Sequence, residues 1–208
     1  MTKLEKQYPN FDGLNLTYET RSGMIKHETS YDKSDATGYE PEKRGSLEAQ
    51  IANLADEIAY NAHDLDDGLR AGLFSPNDVA ELEIWRELCE TVGWSGGEFT
   101  QLVRREMIRE LIGRSVIDVL TQTNENLEGN GLDTSDKVQL HEANVVGYST
   151  EMEPKIAALK KFLFQRMYRH YRLVRMQVKA ENIISDLFNA FVREPEMLPA
   201  ATQAQLQK

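Results

Sequence analysis

The chain has 208 residues, 34 acidic against 24 basic, and a formal net charge of −10. This balance speaks against a surface that grips nucleic acid over its whole extent, and no run nears the ~20 apolar residues of a membrane span. A single cysteine, Cys89, excludes an internal disulfide, and the N-terminus MTKLEKQYPN lacks a signal peptide's apolar core, so the simplest compartment is a reducing cytoplasm.

In chain order, GLNLTYETRSGMIKH has a short helical pattern with Leu14, Leu16, Met24 and Ile25 as apolar anchors. Residues 28–45 are polar, with two glycines and a proline, and read as an exposed loop. Ser46 then caps a long helix over 46–68, with Leu47, Ile51, Leu54, Ile58 and Leu65 towards a core and a stop near Gly68 or Gly72. The stretch Ser75-Pro76-Asn77-Asp78 is a helix start: a capping serine, proline in the first turn, and an acid where the helix dipole favours it. Trp85 fits an apolar stripe with Leu82 and Leu88, and Cys89 reads as a packed thiol in the same helix.

SGGE at 95–98 resembles a capping box, before a helix through Leu120. Residues 124–150 form a polar excursion of poor periodicity. A last helical block runs from Pro154 to about Glu194 with a break, and PEMLP opens a tail helix. Strand signals are almost absent, so the expected class is all-α.

The stretch ADEIAYNAHDLDDGLRAGL raises the chemical question. Residues four apart share a helical face, so Asp56, Tyr60 and Asp64 form a row bordered by His63 and Asp67. A solvated acidic face is the plain reading. The other is a row with a metal ion at one end and a sugar at the other, since Tyr60 is large and half-apolar and Ala52 and Asn53 beside Asp56 leave room. His27, His141 and His170 lack paired carboxylates at useful spacing and read as surface or packing residues. Arg166, Arg169, Arg172 and Arg175 recur every third residue and make a slanting basic stripe. Arg169 is its best candidate for phosphate contact, with Lys26 a similar but weaker one; the plain reading is again solvation or ion pairing.

LEAQIANLADEIAYNAHDLDDGLRAGL, GLNLTYETRSGMIKH and the C-terminal MYRHYRLVRMQVKAENIISDLFNAF with PEMLP together resemble the bacterial dGTPase-like deoxynucleoside triphosphate triphosphohydrolases of the HD superfamily. The resemblance covers about Leu4 to Pro199. It implies a multi-helix HD-domain-like bundle, conversion of a dNTP such as dGTP and water to a deoxynucleoside and tripolyphosphate, a divalent cation (Mg2+, Mn2+ or another transition metal), and a homo-oligomer. In register, Asp56 matches the family's last metal ligand, Tyr60 a tyrosine lying against the deoxyribose, and Asp64 an aspartate that binds the 3′-hydroxyl. His63-Asp64 is then not the adjacent His-Asp pair of the superfamily's name.

That pair, the first histidine ligand and the catalytic histidine all precede the segment matching Leu4, so no catalytic residue of the family pattern falls in this chain. The resemblance thus implies a C-terminal portion, with residues 1–73 finishing an HD-type core and 74–208 forming a helical C-terminal region. A chain of this kind is expected to have negligible activity alone and to self-associate. Two other readings stand beside it: a catalytically inactive binding module that assembles with a complete enzyme, and a helical scaffold.

Overall fold

The computed structural model describes residue 5, residues 7–27 and residues 37–206. The expected loop's residues 28–36 lie outside the described residues. Among those described the chain is all-α, with no strand and one isolated antiparallel bridge between Tyr8 and Phe11. None of the helices is long and apolar enough to cross a membrane.

Helix α1 spans Tyr18–Ile25, where Thr17 Oγ1 accepts the amide of Thr20 at 3.3 Å. It buries none of its side chains, and Met24, expected as an anchor, is 45% exposed. Helix α2, Leu47–Arg70, is capped by Ser46, whose Oγ accepts the amide of Ala49. The helix runs through Gly68, and Gly72 stops it by taking a positive φ of 62°, a conformation that side chains disfavour. Gly68 has another reason to lack a side chain. The ring of Phe74 packs where its Cβ would be.

Helix α3, Pro76–Val79, has the full capping box: Ser75 Oγ accepts the Asp78 amide, and Asp78 Oδ2 accepts the Ser75 amide at 2.7 Å. Helix α4 spans Glu83–Val92. Helix α5, Gln101–Gly129, departs from expectation at both ends. The SGGE stretch does not cap it, because Gly96 and Gly97 take φ of 111° and 90°, outside the right-handed helical region. The cap is Thr100, whose Oγ1 accepts the Val103 amide at 3.3 Å. At the other end the helix continues into the expected polar excursion.

After α6, Ser135–Leu140, the rest of that excursion is tied down rather than loose. The buried Gln50 on α2 accepts the amides of Val145 and Val146 at 2.7 and 3.3 Å. Asn126 donates to the Val145 carbonyl at 2.8 Å, and Asp118 accepts from the Ser149 amide and hydroxyl at 2.9 and 2.6 Å. These bonds satisfy backbone groups that a buried irregular segment would otherwise strand. Helix α7, Met152–Leu163, passes into a π-helical turn, Phe164–Tyr168. Arg169 and His170 make the expected break before α8, Tyr171–Arg193, and a 3-10 turn, Pro195–Met197, leads to α9, Ala200–Leu206.

The main core gathers Ala62 and Leu65 of α2, Val79 of α3, Ile84, Trp85 and Leu88 of α4, Met107 and Leu111 of α5, and Ile156, Leu159, Phe162 and Leu163 of α7. Trp85 is 1% exposed, which bears out its packing role. A smaller cluster of Ile58, Val119 and Val146 takes in Leu47 and Leu54. Ile51 does not join it and is 44% exposed; the cover over the α2 stripe misses that position. Between α4 and α7, Lys155 is only 8% exposed and its ammonium meets Glu87, Glu151 and Glu83 at 2.5, 3.1 and 3.4 Å.

Candidate functional site

The α2 row has the spacing expected of it. Asp56, Tyr60 and Asp64 climb one face at about 6 Å per step, so about 12 Å separates the two carboxylate positions along the axis. Their environments differ. Asp56 is exposed and, among the described residues, makes neither an ion pair nor a side-chain hydrogen bond. Tyr60 is 61% exposed, high for a large half-apolar side chain. Asp64 is half-buried and accepts a hydrogen bond from the Tyr168 hydroxyl of the π turn.

The acids beside the row are engaged elsewhere. Glu57 meets Lys160 at 2.9 Å, Asp66 meets Arg104 at 2.8 Å, and Asp67 meets Arg70 at 2.9 Å. Among the described residues Asp56 and Tyr60 thus stay open beside paired acids. His63 is exposed, and among the described residues it forms no metal-like group of three or more ligands with Asp64.

Burial pushes the Asp64 carboxyl above its ordinary range, and the nearby Asp67 adds to this. The Tyr168 hydrogen bond and the His63 ring pull the other way. The group is therefore easier to protonate than a surface aspartate. The part of Tyr168 in the site is not legible in the sequence, because its partner lies 104 residues away.

Beyond the first end of the row, His27 Nδ1 bonds Asn53 Oδ1, one turn before Asp56. Asn53 also lines a cavity of about 730 Å³ with Lys26, Lys43, Arg44, Gln50 and His141. Lys43 is paired with Glu40 at 2.6 Å and Arg44 donates to the Glu142 carbonyl at 2.7 Å. Lys26 faces Glu40 and Glu42 only at longer range, and burial lowers the pKa of its ammonium. His141 is held by its own loop, its ring bonded to the Ala143 carbonyl at 2.9 Å.

The arginine stripe is dispersed by the break after the π turn. Arg166 lies near Asp78, Arg169 places its guanidinium 5.1 Å from the Phe164 ring centroid, and Arg172 and Arg175 both cover Tyr171. Arg169 is exposed and, among the described residues, has no carboxylate partner, and it follows directly on the tyrosine that holds Asp64.

A divalent cation needs several converging ligands. Among the described residues no three His, Cys, Asp or Glu side chains come together to hold one. Asp56 fits as a single exposed ligand, but the described residues do not by themselves make a metal centre.

Residues 146–208 match the family model of the phosphohydrolase-associated domain. That segment contains the π turn and the tyrosine that holds Asp64. Along nearly its whole length the chain also matches proteins named deoxyguanosinetriphosphate triphosphohydrolase-like protein. The one from Geobacter sulfurreducens is 39% identical over 207 residues, covering 98% of this chain and 54% of the relative. That from Azoarcus is 40% identical over 206 residues, with 96% and 54% covered. That from Parvibaculum lavamentivorans is 39% identical over 221 residues, with 98% and 56% covered. The chain spans about half the length of the relatives it matches.

Proposed function

We propose, for a chain homologous along nearly its whole length to the deoxyguanosinetriphosphate triphosphohydrolase-like proteins, that it supplies the sugar-binding row and one metal ligand of a dNTP triphosphohydrolase acting on dGTP. The observation that carries this reading is the open row between paired flanks, with Asp64 held from the segment matching the phosphohydrolase-associated domain. Asp64 accepts a hydrogen bond from the 3′-hydroxyl, and its Tyr168 contact fixes the direction in which its second oxygen points. Tyr60 offers an apolar face to the deoxyribose. Asp56 is one ligand of a divalent cation, Mg2+ or Mn2+, whose other ligands come from polypeptide outside these residues; when bound, that ion offsets phosphate charge.

Lys26, in the cavity one turn from Asp56, is the better placed of the two phosphate candidates. Arg169 follows directly on Tyr168, the partner of Asp64, and the Asp64 position lies about 12 Å along the axis from that of Asp56. A cytoplasmic protein fits this substrate.

The second reading, an inactive module that assembles with a complete enzyme, is favoured by the lone ligand among the described residues. One comparison separates the two. Tripolyphosphate release from dGTP with Mn2+ or Mg2+ is measured for this chain and for a polypeptide extended by the coding sequence upstream of Met1. Activity in the extended protein alone, lost in Asp56→Ala, supports the enzyme. Activity there that survives Asp56→Ala removes Asp56 from the metal site, and activity in neither favours the binding module.

A further inference from the structure

Two contacts set the register between α2 and the α7 side. Lys160 meets Glu57 at 2.9 Å and the Tyr168 hydroxyl bonds Asp64, so the two stretches run side by side in the same direction. Glu57 and Asp64 are seven residues apart, Lys160 and Tyr168 eight; the extra residue is the one that a π turn takes in over the same rise. Phe164 lies midway, four residues from Lys160 and four from Tyr168, and its ring meets the Tyr168 ring edge-on, centroids 6.5 Å apart. It is therefore level with Tyr60 on α2. Phe164 is 37% exposed and Tyr60 61%, two large rings open beside the row. The turn also fixes Arg169. Its amide donates to the Phe164 carbonyl at 3.2 Å. Residues five apart on an α-helix sit about 140° from each other, whereas the π bond brings them towards one face. The Arg169 guanidinium accordingly lies 5.1 Å from the Phe164 ring centroid, exposed and, among the described residues, without a carboxylate partner.

We infer that Phe164 and Arg169 read the base of the nucleotide, and that Arg169 selects guanine over adenine. This rests on the row being the sugar site. With the 3′-hydroxyl on Asp64, the deoxyribose against Tyr60 and the phosphates towards Asp56, the base leaves the sugar to one side of the row. The α7 side offers an exposed ring level with the sugar. That ring is a flat apolar seat that any base accepts. The guanidinium supplies the discrimination. Guanine presents two acceptors, O6 and N7, on one edge, and the arginine fork meets them with two parallel donors. Adenine presents N7 beside an amino group, so the fork would set donor against donor. The cation–π contact with Phe164 holds the fork in advance, which leaves less side-chain freedom to lose on binding.

The test compares kcat/KM for tripolyphosphate release from dGTP and from dATP by the polypeptide extended upstream of Met1, with Mn2+ or Mg2+. The parent is expected to prefer dGTP. Arg169→Ala should lower kcat/KM for dGTP about 5- to 150-fold, the worth of one bidentate base contact, and leave dATP within about threefold. Arg169→Gln, whose amide pairs a donor with an acceptor as the adenine edge requires, should move the preference towards dATP beyond the alanine variant. Arg169 is exposed, so circular dichroism should show unchanged helicity in both. Phe164→Leu should raise KM for both nucleotides, and unchanged KM values overturn the seat. Equal losses with dGTP and dATP in Arg169→Ala assign the guanidinium to phosphate and overturn the base contact, as does a parent without preference for dGTP. If the extended polypeptide hydrolyses neither nucleotide, the enzyme reading fails, and calorimetric titration of the parent and Arg169→Ala with dGTP and dATP decides the base site separately. Tighter binding of dGTP that depends on Arg169 then supports it; equal affinities, or no binding, overturn it.

Discussion

Replacing Gly68 by alanine sets two opposed effects against each other inside the helix that carries the site. Gly68 is buried in the last turns of α2 and its φ is not in the left-handed region, so alanine is allowed by the backbone. In a helix interior that exchange gains about 1 kcal/mol of propensity. Against it, the new methyl runs into the ring of Phe74. Phe74 is 5% exposed and wedged edge-on against Phe162, ring centres 5.0 Å apart, so it has little room to retreat. Overpacking of this kind costs about 1–3 kcal/mol, and tilting the ring out of its edge-to-face contact forfeits about 0.5–1.5 kcal/mol more. The net expectation is a loss of about 2 kcal/mol, within a span of about 0.5–3.5 kcal/mol. For a chain of this size a loss of about 2 kcal/mol lowers the melting temperature by about 4–8 °C. Urea denaturation should show the same loss with an unchanged slope. Gly68→Ala combined with Phe74→Leu, which shortens the obstructing ring, should be less unstable than the two single losses added. A Gly68→Ala chain as stable as the parent, or more stable, would refute the packing argument and leave only propensity at work.

Asp64→Asn keeps an oxygen for the Tyr168 hydroxyl while removing the charge. Because the folded carboxyl titrates above its unfolded value, its contribution is fully present at low pH and is lost as pH rises through the folded pKa. The stability of the Asn variant relative to the parent should therefore increase between pH 3 and pH 7, and a flat difference would contradict the buried setting of Asp64. At Lys155, methionine keeps the packing and frees three carboxylates of which Glu83 and Glu151 are 61% and 84% exposed; a loss below about 2 kcal/mol is expected by thermal melting, and glutamate there should cost clearly more. Burial also pushes the Cys89 thiol above its ordinary range. Iodoacetamide should label the folded chain at neutral pH more slowly than the urea-unfolded chain; equal rates would show an accessible thiol.

Local signals were the legible part of the fold. Ser75-Pro76-Asn77-Asp78 encodes its cap within four residues, and the structure forms it as written. SGGE failed because its glutamate suggests a cap, while the sign of φ at Gly96 and Gly97 is set by where the chain must travel next. The extension of α5 over TQTNENLEG was hidden because those side chains are polar, and its anchor is Asn126 reaching the Val145 carbonyl. For the site, helical spacing alone aligned Asp56, Tyr60 and Asp64. The company of that row came only with the structure: Lys160 on Glu57, Arg104 on Asp66, Tyr168 on Asp64. Each partner comes from another helix or turn, where no periodicity in α2 can point.

The π turn carries a consequence for insertions and deletions. A π turn bonds residues five apart where an α-helix bonds residues four apart, so it holds one residue more over the same rise. Loss of one codon within Phe164–Tyr168 would therefore let α7 run on as plain α-helix while the chain beyond keeps nearly its present heading. The same loss within the α-helical part of α7 would instead turn everything downstream by about 100°, and with it the phenol that now meets Asp64.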